Sequence, residues 1–499
     1  MNVYSMLTDA IRRRKGEVAI SYGKHHLTYA EFDGTCAALG EWLGRQGCAR
    51  GDRVLLFLKN GFEFPVLLMA IMRAGLVVVP TNAKLHPREV AWIAGDAGPK
   101  LIFTHGEHVD ALDAALEGDA RPRIIAIEDF ALPQPLSHAP AAAKVDPDDP
   151  AWIFYTSGTT GKPKGATLSH RNLIAASVNC LADVFAFQES DRVLHVAPLS
   201  HGSGLYLIPS LARGARNLIY DRANFRPDEV FDTVAREGIT VIAFVAPTMI
   251  VRFLEAAPRD DIAILRGVIY GGATIHLEHI RAAVARFGPI FHQLYGQGEA
   301  PMTISYLPGE AHLGADDETL VSAGYIRSGV EVRLVDEDDL DVPPGGDGEI
   351  CVRGDVVMKG YWRNPDATAK ALKGGWLHTG DIGHFDTGGR LRVLDRRHDT
   401  IISGGTNIYP KEIEDVLAAH PSVREVIAFG LPDSEWGESV AVALVADAGM
   451  TEDAVLDFCR DQLARFKKPK HVFFLEELPK NAYGKVLRRT LRERFAQPL

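Results

Sequence analysis

The sequence predicts an α/β protein, with two similar α/β subdomains facing each other and a smaller α+β domain after them. Three observations carry this reading. Short apolar runs alternate with segments of helical period, one strand–turn–helix–strand pattern occurs twice, and the pattern changes near Asp395. At 499 residues the chain exceeds the ~250 residues at which single cores stop growing, so two or three domains follow. Taken in order, "FDGTCAALGEWLGRQG" puts Cys36, Leu39 and Leu43 on one helical face. "VLLFL" from Val54, "LIF" from Leu101, "IIAI" from Ile124 and "VIAFV" from Val241 read as buried, largely parallel strands. "RAGLVVVP", "HPREV" and "LIF" are echoed by "RGARNLIY", "RPDEV" and "VIAF" at nearly equal spacing. Either βαβ units simply share signals, or two subdomains share a plan; ligands favour crevices between such sheets. Residues 132–150, rich in Pro, Ala and Asp, read as a surface connection. After Asp395, "NIYPKEIEDVLAAHP" is a helix with Pro410 in its first turn and Ile413, Val416 and Leu417 on one face. "REVIAFGL" follows as a strand, so the last ~100 residues have the size of a small domain.

Composition narrows the function classes. The net charge of −11 argues against a nucleic-acid binder, which needs clustered Lys and Arg. The five cysteines are odd in number and form no C-x-x-C pair, which argues against a disulfide framework or zinc site and for a reducing cytoplasm. The N-terminus has no apolar signal-peptide core. The longest apolar run is broken by Arg73 and ends at Pro80, too short to span a bilayer.

The chemistry starts at "YTSGTTGKPKG", residues 155–165. Its glycines, hydroxyls and lysines suit an anion, yet it is not a Walker A loop: Thr156 replaces the first Gly and Pro163 the terminal Ser or Thr. By itself the stretch also reads as a surface hairpin. With it come "APLSHGSG" (197–204), "YGGAT" (270–274), "QLYGQGEAP" (293–301), "GEICVRGDVVMKGYW" (348–362), "GWLHTGD" (375–381), "LDRRHDTIISGGTNIYPKEIE" (394–414) and "PKNAYGKVLRR" (479–489). In this order the set resembles the adenylate-forming superfamily, in its acyl- and aryl-CoA synthetase branch, over nearly the whole chain.

That resemblance implies a large N-terminal domain of facing α/β subdomains plus a β-rich portion (1–395), a hinge (396–400) and a small mobile α+β domain (401–499). It implies ATP, Mg²⁺ and CoA as reaction partners of a small-molecule carboxylic acid, a cytoplasmic location and a homodimer as the assembly. A carboxylate attacks the α-phosphorus of ATP, releasing pyrophosphate; a thiol then attacks the acyl-AMP. The acid is already ionised at neutral pH, so no general base is needed and catalysis rests on placing cations and donors around the phosphates.

By the same resemblance Thr156, Ser157, Gly158, Thr159, Thr160 and Lys164 hold the β- and γ-phosphates, and Glu299 holds Mg²⁺. Gly271, Gly272 and Ala273 lie against the adenine, Tyr295 stacks on it, and Gln293 and Gly296 belong to the same ATP site. Asp381 takes the ribose hydroxyls, Arg396 assists at the ribose or phosphates, and Lys485 bridges the carboxylate and α-phosphate. Read singly, these are a surface carboxylate, turns, a core tyrosine and a cation in a basic tail. His398 marks the hinge, and Gly404 and Gly405 border the pantetheine tunnel. His201, Tyr206, Ala300, Pro301 and Met302 form the acid pocket, with His201 as a positioning residue of the catalytic set beside Lys485. These apolar or small residues suit a fatty or aromatic acid, and the lack of an Asp in "SHGSGLY" argues against an α-amino acid. "DSEWGE" and "FKKPK" also resemble CoA ligases; the lysines either meet CoA phosphates or are solvated. With no carrier domain after Leu499, free CoA is the expected acceptor. Two positions depart from the family: Gly298 stands where Thr precedes the Glu, and His398 where Asp or Lys is common. The first removes a hydroxyl donor to the α-phosphate, and the second suggests a pH-sensitive hinge. Carrier-protein loading and a weakly active nucleotide-binding homologue are the alternative functions.

Overall fold

The computed structural model of the chain describes residues 1–117, 121–156, 163–222, 225–257, 259, 261–396, 399–403, 406–433, 436–460, 462–463, 467–480 and 486–496. Two large sheets dominate the first 361 residues. In the seven-stranded sheet, Val77–Pro80, Arg53–Phe57, Leu101–Thr104 and Arg123–Ala126 run side by side and parallel. In the nine-stranded sheet, Arg216–Ile219, Arg192–His195, Val241–Val245 and Gly267–Gly271 repeat that order, again parallel. The echo in the sequence is therefore a repeated topology. Each repeat carries the same helix between its first and third strands. Pro87–Ala97 and Pro227–Glu237 both start on a proline and end on a left-handed glycine, Gly98 at φ 60 and Gly238 at φ 62. Each helix end is then tied to the neighbouring strand by an arginine: Arg53 donates to the carbonyls of Ala97 and Gly98, and Arg192 to that of Glu237. A guanidinium at a helix C-terminus answers both its unpaired carbonyls and its dipole.

The largest apolar core brings Ile20 and Ile219 of one sheet together with Val54, Leu56 and Trp152 of the other, around the helices Tyr29–Arg45 and Glu63–Arg73. A four-stranded antiparallel sheet, Glu331–Val335, Gly348–Arg353, Leu377–Phe385 and Leu391–Arg396, forms the β-rich portion. There Cys351 faces His378 across the strands, and a turn brings Asp339 within 4.8 Å of both. The trio is more compact than the sequence suggested. Asp339 is also held by Arg333 and Lys373, and burial pushes the Cys351 thiol up to about 12, so the three side chains form a packed polar cluster with a protonated thiol. The chain then enters a separate sheet, beginning at Ile401–Ser403 and built around Val423–Asp433, Gly437–Ala446 and His471–Phe474 with helices Pro410–Ala418, Glu452–Arg460 and Arg488–Phe495. Among the described residues no helix is long and apolar enough to cross a membrane.

Arg488 ties that last unit together beside the strand end at Asp395. Its guanidinium reaches Asp399 at 2.6 Å, Glu414 at 2.6 Å and Asp395 at 3.3 Å. Across the two units His276 meets Asp415 at 2.9 Å. The two CoA-ligase-like stretches meet each other: Lys470 pairs with Asp433 at 2.9 Å and lies 5.9 Å from the Trp436 ring, while Lys467 pairs with Glu412.

Candidate active site

Two sheets and the loop after Tyr295 converge on one carboxylate. Asp381, only 4% exposed, sits on the third strand of the antiparallel sheet directly opposite Arg396. Tyr295, at the end of the parallel strand Phe291–Tyr295, donates its hydroxyl to Asp381 Oδ2 at 2.7 Å. Gln297 donates to the same oxygen at 2.6 Å and to the Thr379 carbonyl at 2.9 Å. Arg396 Nε lies 2.7 Å from the other oxygen, Oδ1. Burial, and then the charge of Asp381, raise the Tyr295 phenol above its ordinary value and keep it a donor. Carboxyl ends of parallel strands are where α/β sheets place ligands, and Tyr295 ends one.

Glu299 follows four residues later. Its Oε1 accepts from the Tyr361 hydroxyl at 2.7 Å, and its backbone carbonyl accepts from Met358 N–H at 2.7 Å. The Lys164 ammonium lies 5.2 Å over the Tyr361 ring, so the end of the loop hairpin, Tyr361 and Glu299 form one cluster. The hairpin stem is regular, with Tyr155 opposite Gly165 and Thr156 opposite Lys164. A carboxylate with one oxygen already fixed by a phenol suits a hard divalent ion shared with phosphates.

Gly298 is explained by packing. A Cβ there would stand 2.5 Å from Thr156 Cγ2 and 2.8 Å from Phe154 Cδ1. The space of the family's threonine is thus already filled by two side chains of the hairpin strand. Gly271 also answers to packing, since it is buried and a Cβ would stand 2.5 Å from the Leu294 carbonyl oxygen. Gly272, at φ 81, and Ala273 are exposed at the end of that strand. Gly296 is crowded by Met302, whose backbone a Cβ would meet at 2.5 Å. Gln293 carries a buried Oε1 with no hydrogen-bond partner among the described residues.

His201 packs edge-on to Phe154 with ring centroids 5.4 Å apart, and its Nδ1 is 2.9 Å from Ser200 Oγ. Burial lowers its imidazole to about 4, so it is neutral at pH 7. The loop before it is clamped by Asn60, which bonds both Ala197 O at 3.0 Å and Leu199 N at 2.8 Å. Beneath it a buried chain runs from Asn217 through His195 to Ser203 and the Ala243 carbonyl. Of the expected acid-pocket residues, Tyr206, Pro301 and Met302 line one cavity of about 20 Å³. Ala300 is wholly buried beneath them. The same cavity is lined by Arg327, so the wall is not only apolar or small, as the sequence had suggested.

Ser157, Gly158, Thr159, Thr160, His398, Gly404, Gly405 and Lys485 lie outside the described residues. Gln297, Tyr361, Phe154, Asn60 and Arg327 were not singled out from sequence. Gln297 and Tyr361 stand inside quoted motifs, but what each side chain touches is fixed by a partner strand far away.

With this geometry in place, the chain compares as follows. A model of the family described as AMP-binding enzyme matches residues 7–362, and one described as AMP-binding enzyme C-terminal domain matches 412–485. An indoleacetate–CoA ligase of Aromatoleum aromaticum is 36% identical, with 97% of this chain and 96% of that protein covered. A feruloyl-CoA synthase of Amycolatopsis sp. is 37% identical, with 96% of each covered. Among solved structures, ATP-bound MatB from Rhodopseudomonas palustris superposes with a TM-score of 0.90 at 31% identity, covering 99% of both chains.

Proposed function

The chain belongs to the AMP-binding enzyme family, and from that premise we propose how its site carries out the two half-reactions. It is an ATP-dependent acid–CoA ligase that activates a carboxylic acid as acyl-AMP and passes the acyl group to CoA. The observation that carries the site assignment is the buried Asp381 carboxylate ringed by Tyr295, Gln297 and Arg396, with Glu299, four residues beyond Tyr295, held by Tyr361.

In this reading Asp381 accepts from both ribose hydroxyls. A carboxylate offers about four lone-pair sites, and three donors already lie on it, so ribose binding displaces or shares some of them. Tyr295 positions Asp381 and presents its ring to the adenine beside exposed Gly272 and Ala273. Glu299 holds Mg²⁺, which supplies charge neutralisation to the phosphates. Lys164, with Thr156 and residues 157–160, covers the β- and γ-phosphates. Neutral His201 borders the acid carboxylate and does not act as a base. The acid oxygen attacks the α-phosphorus, its bond to the pyrophosphate oxygen breaks, and Lys485 bridges the approaching anions. In the second half-reaction the CoA sulfur forms the new bond to the acyl carbon, and AMP leaves on its phosphate oxygen. Arg396, on Asp381, opens the hinge at 396–400 about which residues 401–499 move, with His398 as pivot and Gly404 and Gly405 along the pantetheine path.

The acid is aromatic or fatty in this reading, as the relatives' names suggest, the assembly a homodimer and the location cytoplasmic. The test is pyrophosphate release and thioester formation with ATP, CoA and a panel of such acids. Lys485→Ala is expected to abolish adenylation yet keep thioester formation from supplied acyl-AMP; equal loss of both steps overturns its role. Sedimentation of the purified chain checks the dimer.

A further inference from the structure

Arg327 is 2% exposed, and its guanidinium is under-used. One nitrogen, Nη1, donates to the Met302 carbonyl; Nε and Nη2 are buried with no hydrogen-bond partner among the described residues. Thr303 Oγ1, on the same cavity, is likewise buried and unpartnered. Burial works against the charge on Arg327; the Asp183 carboxylate favours that charge from a distance, but among the described residues no carboxylate comes within ion-pair reach of it. A buried cation with no carboxylate in direct contact is costly, and an arginine stays charged regardless.

The residue is also held in place. Its N–H donates to the Ile304 carbonyl. The adjacent Ser328 is fixed on both sides: Asp183 accepts from its N–H at 2.7 Å and its hydroxyl at 2.8 Å, and Asn179 donates to its carbonyl at 2.8 Å. The cavity that Arg327 lines shares Tyr206, Pro301 and Met302 with the acid pocket. Met302 joins the two ends, because a Cβ on Gly202, next to His201, would stand 2.2 Å from Met302 Cε. A volume of about 20 Å³ admits one water-sized group, and a thioether is the side chain most able to swing aside.

We propose that Arg327, with Thr303, binds a second carboxylate at the far end of the acid substrate. The enzyme's substrates are then dicarboxylic acids, aryl or aliphatic, whose near carboxylate is activated beside His201 while the far one closes the ion pair at Arg327. This rests on the acid-pocket assignment above and narrows it. A planar guanidinium with Nε and one Nη unpaired offers two adjacent donors, which matches a carboxylate better than a hydroxyl or a carbonyl.

The test is kcat/KM for adenylation with matched pairs: each dicarboxylate against the acid of equal length whose far carboxylate is a methyl group, in aliphatic and aryl series. Wild type is expected to prefer the best-fitting dicarboxylate by about tenfold or more, the scale of a charge-assisted bond made or lost. Arg327→Met is expected to remove that preference, and Arg327→Lys to retain part of it. A purely structural Arg327 would lower the melting temperature and affect both members of a pair alike. A wild-type enzyme that shows no such preference in any pair overturns the proposal, even if the variants do not fold. So does a preference that survives in Arg327→Met. Failure of every acid to release pyrophosphate overturns instead the ligase reading on which it rests.

Discussion

Asp381 and Arg327 are both nearly buried charges in one active site, 4% and 2% exposed, yet they are served very differently. Asp381 receives a phenol, an amide and a guanidinium before any ligand is present. Arg327 has one carbonyl and two idle nitrogens. The carboxylate proposed to take the nucleotide is pre-organised by the protein's own groups, so in that role ATP exchanges partners there. The acid side is incomplete, so its ligand supplies a partner. The first arrangement makes binding of a common nucleotide dependable, and the second makes acid choice selective, because an acid that leaves Arg327 unpaired forfeits that interaction.

The contrast breaks most severely at Asp381. Asp381→Asn removes the charge that Arg396 pairs with and that the proposed role assigns to two ribose hydroxyls. At ~1.5–3 kcal/mol per bond to a charged group, kcat/KM for ATP should fall about a hundredfold or more, with acid selectivity unchanged. A loss under threefold in pyrophosphate-release assays would show that the carboxylate does not carry ribose binding.

Gly298 comes next. Restoring threonine there forces contact with Thr156 Cγ2 and Phe154, an overpacking cost of ~1–3 kcal/mol. Gly298→Thr should therefore lower stability and activity rather than repair a defect. Combining it with Thr156→Ser, which removes the Cγ2 methyl, should recover part of both. Purely additive effects in that double-mutant cycle would sink the packing explanation.

Phe154→Ala sharpens the comparison from the acid side. It removes the edge-on partner of His201, so KM for the acid should change several-fold while KM for ATP stays close to wild type. Parallel shifts in both would mean that the two sides are not separable at this residue.

The smallest expected effect is on pH. The His201 and His195 imidazoles are each lowered to about 4 by burial. The stability this implies is fully present above the ordinary histidine value of ~6.5 and is lost as pH falls from there toward 4, where the folded form also protonates. Urea midpoints should thus decline on acidification across that window, less steeply in His201→Gln. Adenylation should show no inflection near pH 6.5 that disappears in the same variant.

Legibility followed the reach of the interactions. The strand runs at Val54, Leu101 and Val241, the helix behind Pro410 and the doubled strand–helix–strand pattern were all readable, because period and end signals are local. Asp381, Arg396, Tyr295 and Glu299 were nameable as candidates, because they stand in motifs. Their actual bonds were not. Tyr295 was expected only against the adenine, but its hydroxyl is committed to Asp381, 86 residues away. Gly298 looked like a missing donor and is a position with no room for one. Arg327 carries no local signal, being one arginine beside a serine and a glycine until the fold closes over it.

The sequence alone thus determined the α/β class, the small C-terminal unit and the adenylate-forming motifs, because each depends on residues close along the chain. The tertiary structure decided which donors surround Asp381, why residue 298 has no side chain, and that Arg327 lines one cavity with Tyr206, Pro301 and Met302. Those outcomes depend on which strands lie side by side and on what is left buried between them, and packing over long separations sets both.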